Sequence, residues 1–200
     1  GAMYYAGITR VDFLTLGLPV HTMSKYADEL KKIRFDNYEV NGQKISVGKI
    51  IVIPQPVGSL AMFAATNNTI INNGETRLIL DPGYVTTDWV VAQGYKMVNS
   101  RSGGRMGGVS NVYKNIASLI AKKFGQEQFG KIERIYQAFV TGKDFRYYGK
   151  VVDQTMLQKY LTQSSTVIEE IVSDIKARVG DTEDIDAILI AGGGAHFFAP

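Results

Sequence analysis

Two aspartates, Asp81 and Asp88, bracket the segment Asp81-Pro82-Gly83-Tyr84-Val85-Thr86-Thr87-Asp88. An apolar stretch, Arg77 to Leu80, leads into it, and Trp89-Val90-Val91 leads out. Two strands joined by a tight glycine turn would place the backbone N–H groups of Gly83 to Thr86 at a hairpin tip. Such a tip can wrap an anionic phosphate, with threonine hydroxyls as further donors. Two carboxylates facing one phosphate need a hard cation between them, and Mg²⁺ held through water meets that need. Taken alone, the segment also reads as an ordinary hairpin whose polar residues satisfy their own turn.

Two other segments carry weaker signals. Ile188-Leu189-Ile190-Ala191 empties into Gly192-Gly193-Gly194, where a ligand could lie on bare backbone before a helix dipole. The spacing G-x-G-x-x-G is absent, so this is no dinucleotide fingerprint, and a plain sharp turn explains it about as well. Gln55 sits between Pro54 and Pro56, where an apolar strand meets a helix. A rigidly held amide can orient a water by donating and accepting at once; a simple helix-start role is the alternative. His21 and His196 are too isolated for a metal site. Glu169 and Glu170 read as a solvated helix face.

The elements that must position these residues follow from periodicity. Val11 to Leu18 reads as a buried strand stopped by Pro19. A helix spans His21 to Phe35, with Ser24 as its N-cap. Phe35 to Val40 and Gln43 to Ile53 flank Asn41-Gly42, a type I′ hairpin signal. Pro56 suits the first turn of a helix over Val57 to Ala65. A third meander strand is expected around Tyr95 to Asn99, with Trp89 on the core face. Glycines 103, 104, 107 and 108 follow, before a helix over Val109 to Phe124. Helices over Phe129 to Val140 and Asp153 to Val179 follow, the latter stopped by Gly180. A turn or short strand falls at Tyr147 to Gly149. Asp186 to Ala191 reads as a buried strand. The fold class is α/β, a mixed sheet flanked by helices.

Composition agrees with a globular chain: 45% of residues are hydrophobic and 20% charged. No apolar run approaches the roughly 20 residues that span a bilayer. Without cysteine, disulfides and thiolate metal sites are excluded, which suits the cytoplasm. The net charge of +3 says little about partners. Lys31, Lys32 and Arg34 are flanked by Asp28, Glu29 and Asp36, so a solvated helix face is expected rather than direct nucleic-acid binding. Gly1-Ala2-Met3 reads as a tag remnant, and Phe197 to Pro200 end where a helix should begin.

Together, a strand-Gln-helix junction, a D-x-G-x-x-T-x-D hairpin and a strand ending in G-G-G resemble the actin, Hsp70 and sugar kinase superfamily. In detail VDFLTLGLPV, VGKIIVIPQPVGSLAMF, LILDPGYVTTDW and AILIAGGGAHFF resemble the bacterial plasmid-partition actins of the ParM/StbA family. The resemblance implies an actin-like (RNase H-like) ATPase fold, incomplete at both ends. Residues 1–66 would be the end of a first lobe with its connecting helix, and 67–200 the second lobe. It implies ATP and Mg²⁺ as cofactors, bound between two lobes of the intact protein. Asp81 would hold the Mg²⁺ water shell and Asp88 would support it. Gly83, Tyr84, Val85 and Thr86 would meet the β- and γ-phosphates. Gln55 would position the attacking water, and Gly192, Gly193 and Gly194 would pack against adenosine. Gly107-Gly108 is similar to a glycine pair near the nucleotide in Hsp70-like members, though a helix-entry turn explains it equally.

The implied function is self-association into filaments that segregate plasmid DNA, with DNA reached only through an adaptor protein. Three departures stand out. The family's first phosphate loop and last helices are missing, so the fragment alone is expected to be inactive. Tyr84 and Val85 also replace the glycines usual in the second loop. A sugar kinase-like enzyme, a cell-division or pilus ATPase, and a non-catalytic interaction module are the alternatives.

Overall fold

The structure is a computed structural model that describes residues 2–35 and 38–198, with the side chain of His196 outside the description. Asp36, part of the first hairpin arm, and the terminal Ala199-Pro200 therefore lie outside the described residues. In chain order the elements are α1 (Ala2–Tyr5), β1 (Arg10–Leu18), a 3-10 turn (Val20–Thr22), α2 (Met23–Lys32), β2 (Tyr38–Val40), β3 (Gln43–Pro54) and α3 (Gln55–Thr66). Then come β4 (Thr76–Pro82), β5 (Thr86–Gln93), β6 (Lys96–Met97), β7 (Gly103–Met106), α4 (Val109–Lys123) and α5 (Glu133–Thr141). The chain continues through β8 (Phe145–Tyr147), β9 (Lys150–Val152), α6 (Gln154–Gln163), α7 (Ser165–Val179), β10 (Ala187–Ile190) and a 3-10 turn (Ala195–Phe197). A mixed sheet in the order β10-β4-β5-β6, with β7 also pairing β5, accompanies a three-stranded sheet, β1-β3-β2. Two compact units result: residues 1–79, 88–104 and 183–189, and residues 80–87, 105–182 and 190–200.

In the first unit β1 runs parallel to β3, Arg10 facing Ser46 and Leu18 facing Pro54, while β2 is antiparallel to β3. Asn41 and Gly42 have φ of +48° and +78°, the left-handed pair that a type I′ turn requires. Ala27 of α2 packs with Val47, Ile50 and Val52 of β3. A second cluster joins Val57, Leu60 and Ala64 of α3 to Ile79, Val90 and Ala92 of the larger sheet. β1 is not the buried strand that its composition suggests. It lies at a sheet edge, with Phe13 64% exposed and only Val11, Leu14, Leu16 and Leu18 half-buried. β10 likewise sits at an edge and leaves Ile188 61% exposed. Its start is held to β4 by reciprocal bonds, Asp186 N–H to Thr76 O at 2.8 Å and Thr76 N–H to Asp186 Oδ2 at 2.7 Å.

Ser24 does not cap α2. The helix is entered through the 3-10 turn, and the Thr22 hydroxyl donates to Pro19 O at 2.9 Å instead. The third meander strand shrinks to two residues, and Gly103 and Gly104 open a further strand, β7, that pairs β5.

The second unit is mostly helical. Val109, Val112, Tyr113, Ile116 and Ile120 fall at helical spacing along one face of α4, which meets Ile135 and Ala138 of α5 and Leu157 and Tyr160 of α6. Asp153 caps α6 by accepting the Met156 N–H at 2.7 Å. The single long helix expected from Asp153 to Val179 is instead two. Fully buried Ser164 stands where α6 ends and α7 begins, its N–H and hydroxyl both donating to Tyr160 O, at 3.0 and 2.8 Å. Gly180, at φ +71°, stops α7 as expected.

Leu60 is wholly buried in the α3 cluster. Leu60→Ala should therefore cost about 2–5 kcal/mol, read as a lowered midpoint in thermal unfolding, whereas Ile188→Ala at the exposed edge should change it by less than about 0.5 kcal/mol.

Candidate functional site

The hairpin between β4 and β5 closes on the Gly83 N–H, which donates to Thr86 O at 2.8 Å. The tip carbonyls all serve the entry to α4. Gly83 O accepts from Val109 N–H at 3.1 Å, Tyr84 O from Ser110 N–H at 2.9 Å, and Val85 O from Gly107 N–H at 2.9 Å. A trans peptide holds its N–H opposite its C=O, so the N–H groups of Tyr84 and Val85 turn away from α4. Of the expected phosphate donors, Gly83 has its N–H engaged in the hairpin itself. Tyr84 and Val85 each remain 52% exposed at the tip. Gly108 makes this arrangement possible, because a Cβ there would overlap Gly83 O and come within 2.9 Å of Tyr84 C. Sequence reading took Gly107-Gly108 as a helix entry or a nucleotide contact; its packing against the tip was not visible. Thr87, buried, donates to Gly107 O at 3.3 Å.

The triple-glycine turn lies beside the same hairpin. Ala191 N–H donates to Leu80 O and Gly194 N–H to Pro82 O, both at 2.8 Å. Gly192 has φ +80°, and a Cβ on it would overlap the Asp81 carboxylate. At Gly194 a Cβ would lie 2.6 Å from Pro82 O, whereas Gly193 faces open space. Asp81 and the glycine turn, read separately in the sequence, are thus direct neighbours within one unit. The expected helix dipole behind them is reduced to a 3-10 turn of three residues, Ala195–Phe197.

Asp88 and Gln55 belong to the other unit. Asp88 is 3% exposed, and its Oδ1 accepts the Val20 N–H at 2.8 Å, with His21 Nδ1 at 3.7 Å. Gly104 again leaves room, because a Cβ there would overlap the Asp88 carboxylate. Gln55 opens α3 behind Pro54, exposed, with its Cγ 3.0 Å from where a Cβ of Gly17 would be. Trp89 is buried as expected, its ring lying against Gly103.

Tyr113 was not singled out by sequence, although its place on the apolar face of α4 is the signal that finds it. It is 1% exposed, its ring meets those of Tyr84, Tyr136, Phe139 and Phe197, and its hydroxyl has no partner among the described residues. It therefore bridges the hairpin tip and the segment following the glycine turn. Burial pushes its phenol up to about 12, with Tyr136 and Tyr84 adding to the shift.

A carboxylate against a glycine turn, beside outward-turned amides, suits a phosphate-bearing ligand with a hard cation held through water. Among the described residues no group of three or more His, Cys, Asp or Glu forms a direct metal cage, and none of the helices is long and apolar enough to cross a membrane.

Residues 79–200 match the family model of the archaeal actin homologue MreB-like proteins, C-terminal part. The chain belongs to this family. Comparison with curated proteins gives no match in sequence. Among solved structures, the archaeal actin homologue Ta0583 in complex with ADP superposes with a TM-score of 0.74 at 19% identity, covering 98% of this chain and 64% of that one. The 15-stranded ParM filament from Clostridium botulinum gives 0.65 at 22%, covering 91% of this chain and 56% of that one. An Alp12 filament gives 0.54 at 12%, covering 94% and 58%. The chain thus spans less than two thirds of the length of these structures. It has the mixed α/β actin/Hsp70-type ATPase fold, related both to archaeal actin and to ParM homologues. Similarity favours the archaeal branch over the partition branch to which the sequence motifs pointed.

Two expectations follow. Gly108→Ala and Gly194→Ala should each lower the thermal midpoint markedly, while Gly193→Ala, with open space around it, should shift stability by less than about 1 kcal/mol. For Tyr113, the unfolded chain ionises near pH 10 and the folded one only near 12. Its contribution is intact below pH 10 and is lost as pH rises towards 12. Urea unfolding across that window should show a steeper loss in the wild type than in Tyr113→Phe.

Proposed function

We propose that this chain is part of an actin-fold ATPase that binds ATP with Mg²⁺ and assembles into filaments. The observation that carries the reading is the Asp81 carboxylate lying directly against Gly192, next to a hairpin tip whose Tyr84 and Val85 amides turn away from α4. In this reading Asp81 holds the water shell of the cation. Tyr84, Val85 and Thr86 supply phosphate donors, while Gly83 shapes the turn. Gly192, Gly193 and Gly194 present bare backbone to the adenosine, with Gly193 the open position. Gln55 orients the attacking water and Asp88 has a supporting role, the roles that the motif resemblance implies for them. A bound Mg²⁺ would offset charge on the phosphates and the leaving oxygen. The assignment of residues 1–66 to a first lobe and 67–200 to a second belongs to the same proposal.

Filament assembly is supported by the fold shared with the ParM and Alp12 filament structures. The finer role, cytoplasmic segregation of plasmid DNA through an adaptor protein, rests on the motif resemblance to the partition family. The exposed side chains of Tyr84 and Val85, where related loops carry glycine, favour one competing reading: a module that keeps the fold without turnover.

Sedimentation of the full-length protein with and without ATP and Mg²⁺ tests the reading; a nucleotide-dependent pellet is expected. Asp81→Ala should reduce Mg²⁺-dependent hydrolysis about 100-fold or more, the scale of losing one electrostatic stabiliser of the transition state. Undiminished hydrolysis in that variant rejects the assignment, and no nucleotide binding at all in the wild type favours the non-catalytic module.

A further inference from the structure

Buried carboxylates need partners, and Asp88 finds its partner in a backbone. Its Oδ1 takes the Val20 N–H at 2.8 Å, its side chain is 4% exposed, and the glycine at 104 removes the one Cβ that would displace it. Val20 starts a 3-10 turn, so its N–H is one of the donors that a helix start leaves without an internal acceptor. A carboxylate oxygen at that distance satisfies it as a side-chain cap would. The turn is otherwise held by Thr22, whose N–H and hydroxyl both donate to Pro19 O, at 3.0 and 2.9 Å.

A short strap, Gly17 to His21, therefore runs from the end of β1 to the Asp88 carboxylate. At its other end Gly17 faces Ile53 and Leu18 faces Pro54 in the β1–β3 register. Gln55 is the next residue, and its Cγ would lie 3.0 Å from a Cβ at position 17. The exposed Gln55 side chain thus lies beside Gly17, where a Cβ would crowd it, and the far end of the strap is held by Asp88.

We propose that Asp88 is a positioning residue that sets the orientation of Gln55 through the Gly17–His21 strap, rather than a member of the metal's water shell. This rests on the water-orienting role given to Gln55 above. A carboxylate whose oxygen is already committed to an amide has less to offer a hydrated cation. A displaced strap tilts the amide that must aim a water.

Two measurements test it. In the 200-residue chain, amide hydrogen exchange at Val20 should be slow in the wild type and in Asp88→Asn, which keeps an acceptor oxygen. It should be at least about 10-fold faster in Asp88→Ala, the equivalent of about 1.4 kcal/mol of lost protection. Equal protection in Asp88→Ala overturns the strap. In the full-length protein, Gly17→Ala and Asp88→Ala should lower kcat about 10-fold or more, since small misplacements of a positioning group cost rate. The Kd for ATP with Mg²⁺ should stay within about twofold, and Asp88→Asn should restore most of kcat. Asp88→Ala with Gln55→Ala should be no slower than Gln55→Ala alone. Additive losses, or loss of Mg²⁺-dependent binding in Asp88→Asn, defeat the proposal while leaving the ATPase reading intact. Undiminished kcat in Gln55→Ala removes the role of Gln55 and the proposal with it, whatever the exchange result.

Discussion

The first turn of α4 needs acceptors for its N–H groups, because no helix can satisfy them internally. Here the acceptors are the carbonyls of the β4–β5 hairpin tip, which take Val109, Ser110 and the preceding Gly107. No side chain caps this helix. One set of bonds therefore does two things: it completes a helix whose apolar face is the centre of the second unit's core, and it fixes the peptide planes of the tip. The outward direction of the Tyr84 and Val85 amides is a consequence of that bonding and peptide planarity, not of any preference in those residues.

Close backbone approach is the second constraint. At Gly108, Gly192, Gly194 and Gly104 a methyl group would meet a carbonyl or carboxylate oxygen. These glycines bring main chain next to main chain, or main chain next to an aspartate. The two aspartates of the hairpin motif are treated differently by their surroundings. Asp81, half-buried, lies at a glycine turn; Asp88, buried, ties down a 3-10 turn in the other unit. The same side chain lies against a glycine turn in one place and holds a backbone N–H in the other because burial and neighbours differ.

Tyr113 adds an aromatic floor. Its ring touches Tyr84 of the tip and Phe197 beyond the glycines, so the two loops share one wall of the core. A buried phenol with no partner among the described residues costs stability, and the contacts with the rings of Tyr84, Tyr136, Phe139 and Phe197 act against that cost.

Much of this was legible in the residues. Asn41-Gly42 demanded a left-handed turn, Pro56 and Gly180 marked helix ends, and the spacing of Asp81, Gly83, Thr86 and Asp88 outlined a strand-turn-strand. These signals are local: they depend on φ preferences and on side-chain periodicity within a few residues. Exposure was not legible for β1 or β10, since an apolar strand reads alike at the centre of a sheet and at its edge. Nor was the break at Ser164, a buried residue between two helices whose apolar periodicity runs on across it. The sequence by itself determined most of the elements, the turn chemistry and the candidate residues. Only the tertiary structure decided that Asp81 meets Gly192, that Asp88 holds Val20, and that α4 borrows its cap from the hairpin. Those contacts join residues far apart in the chain, and it is chain folding, not local preference, that selects which oxygen a distant amide or glycine will face.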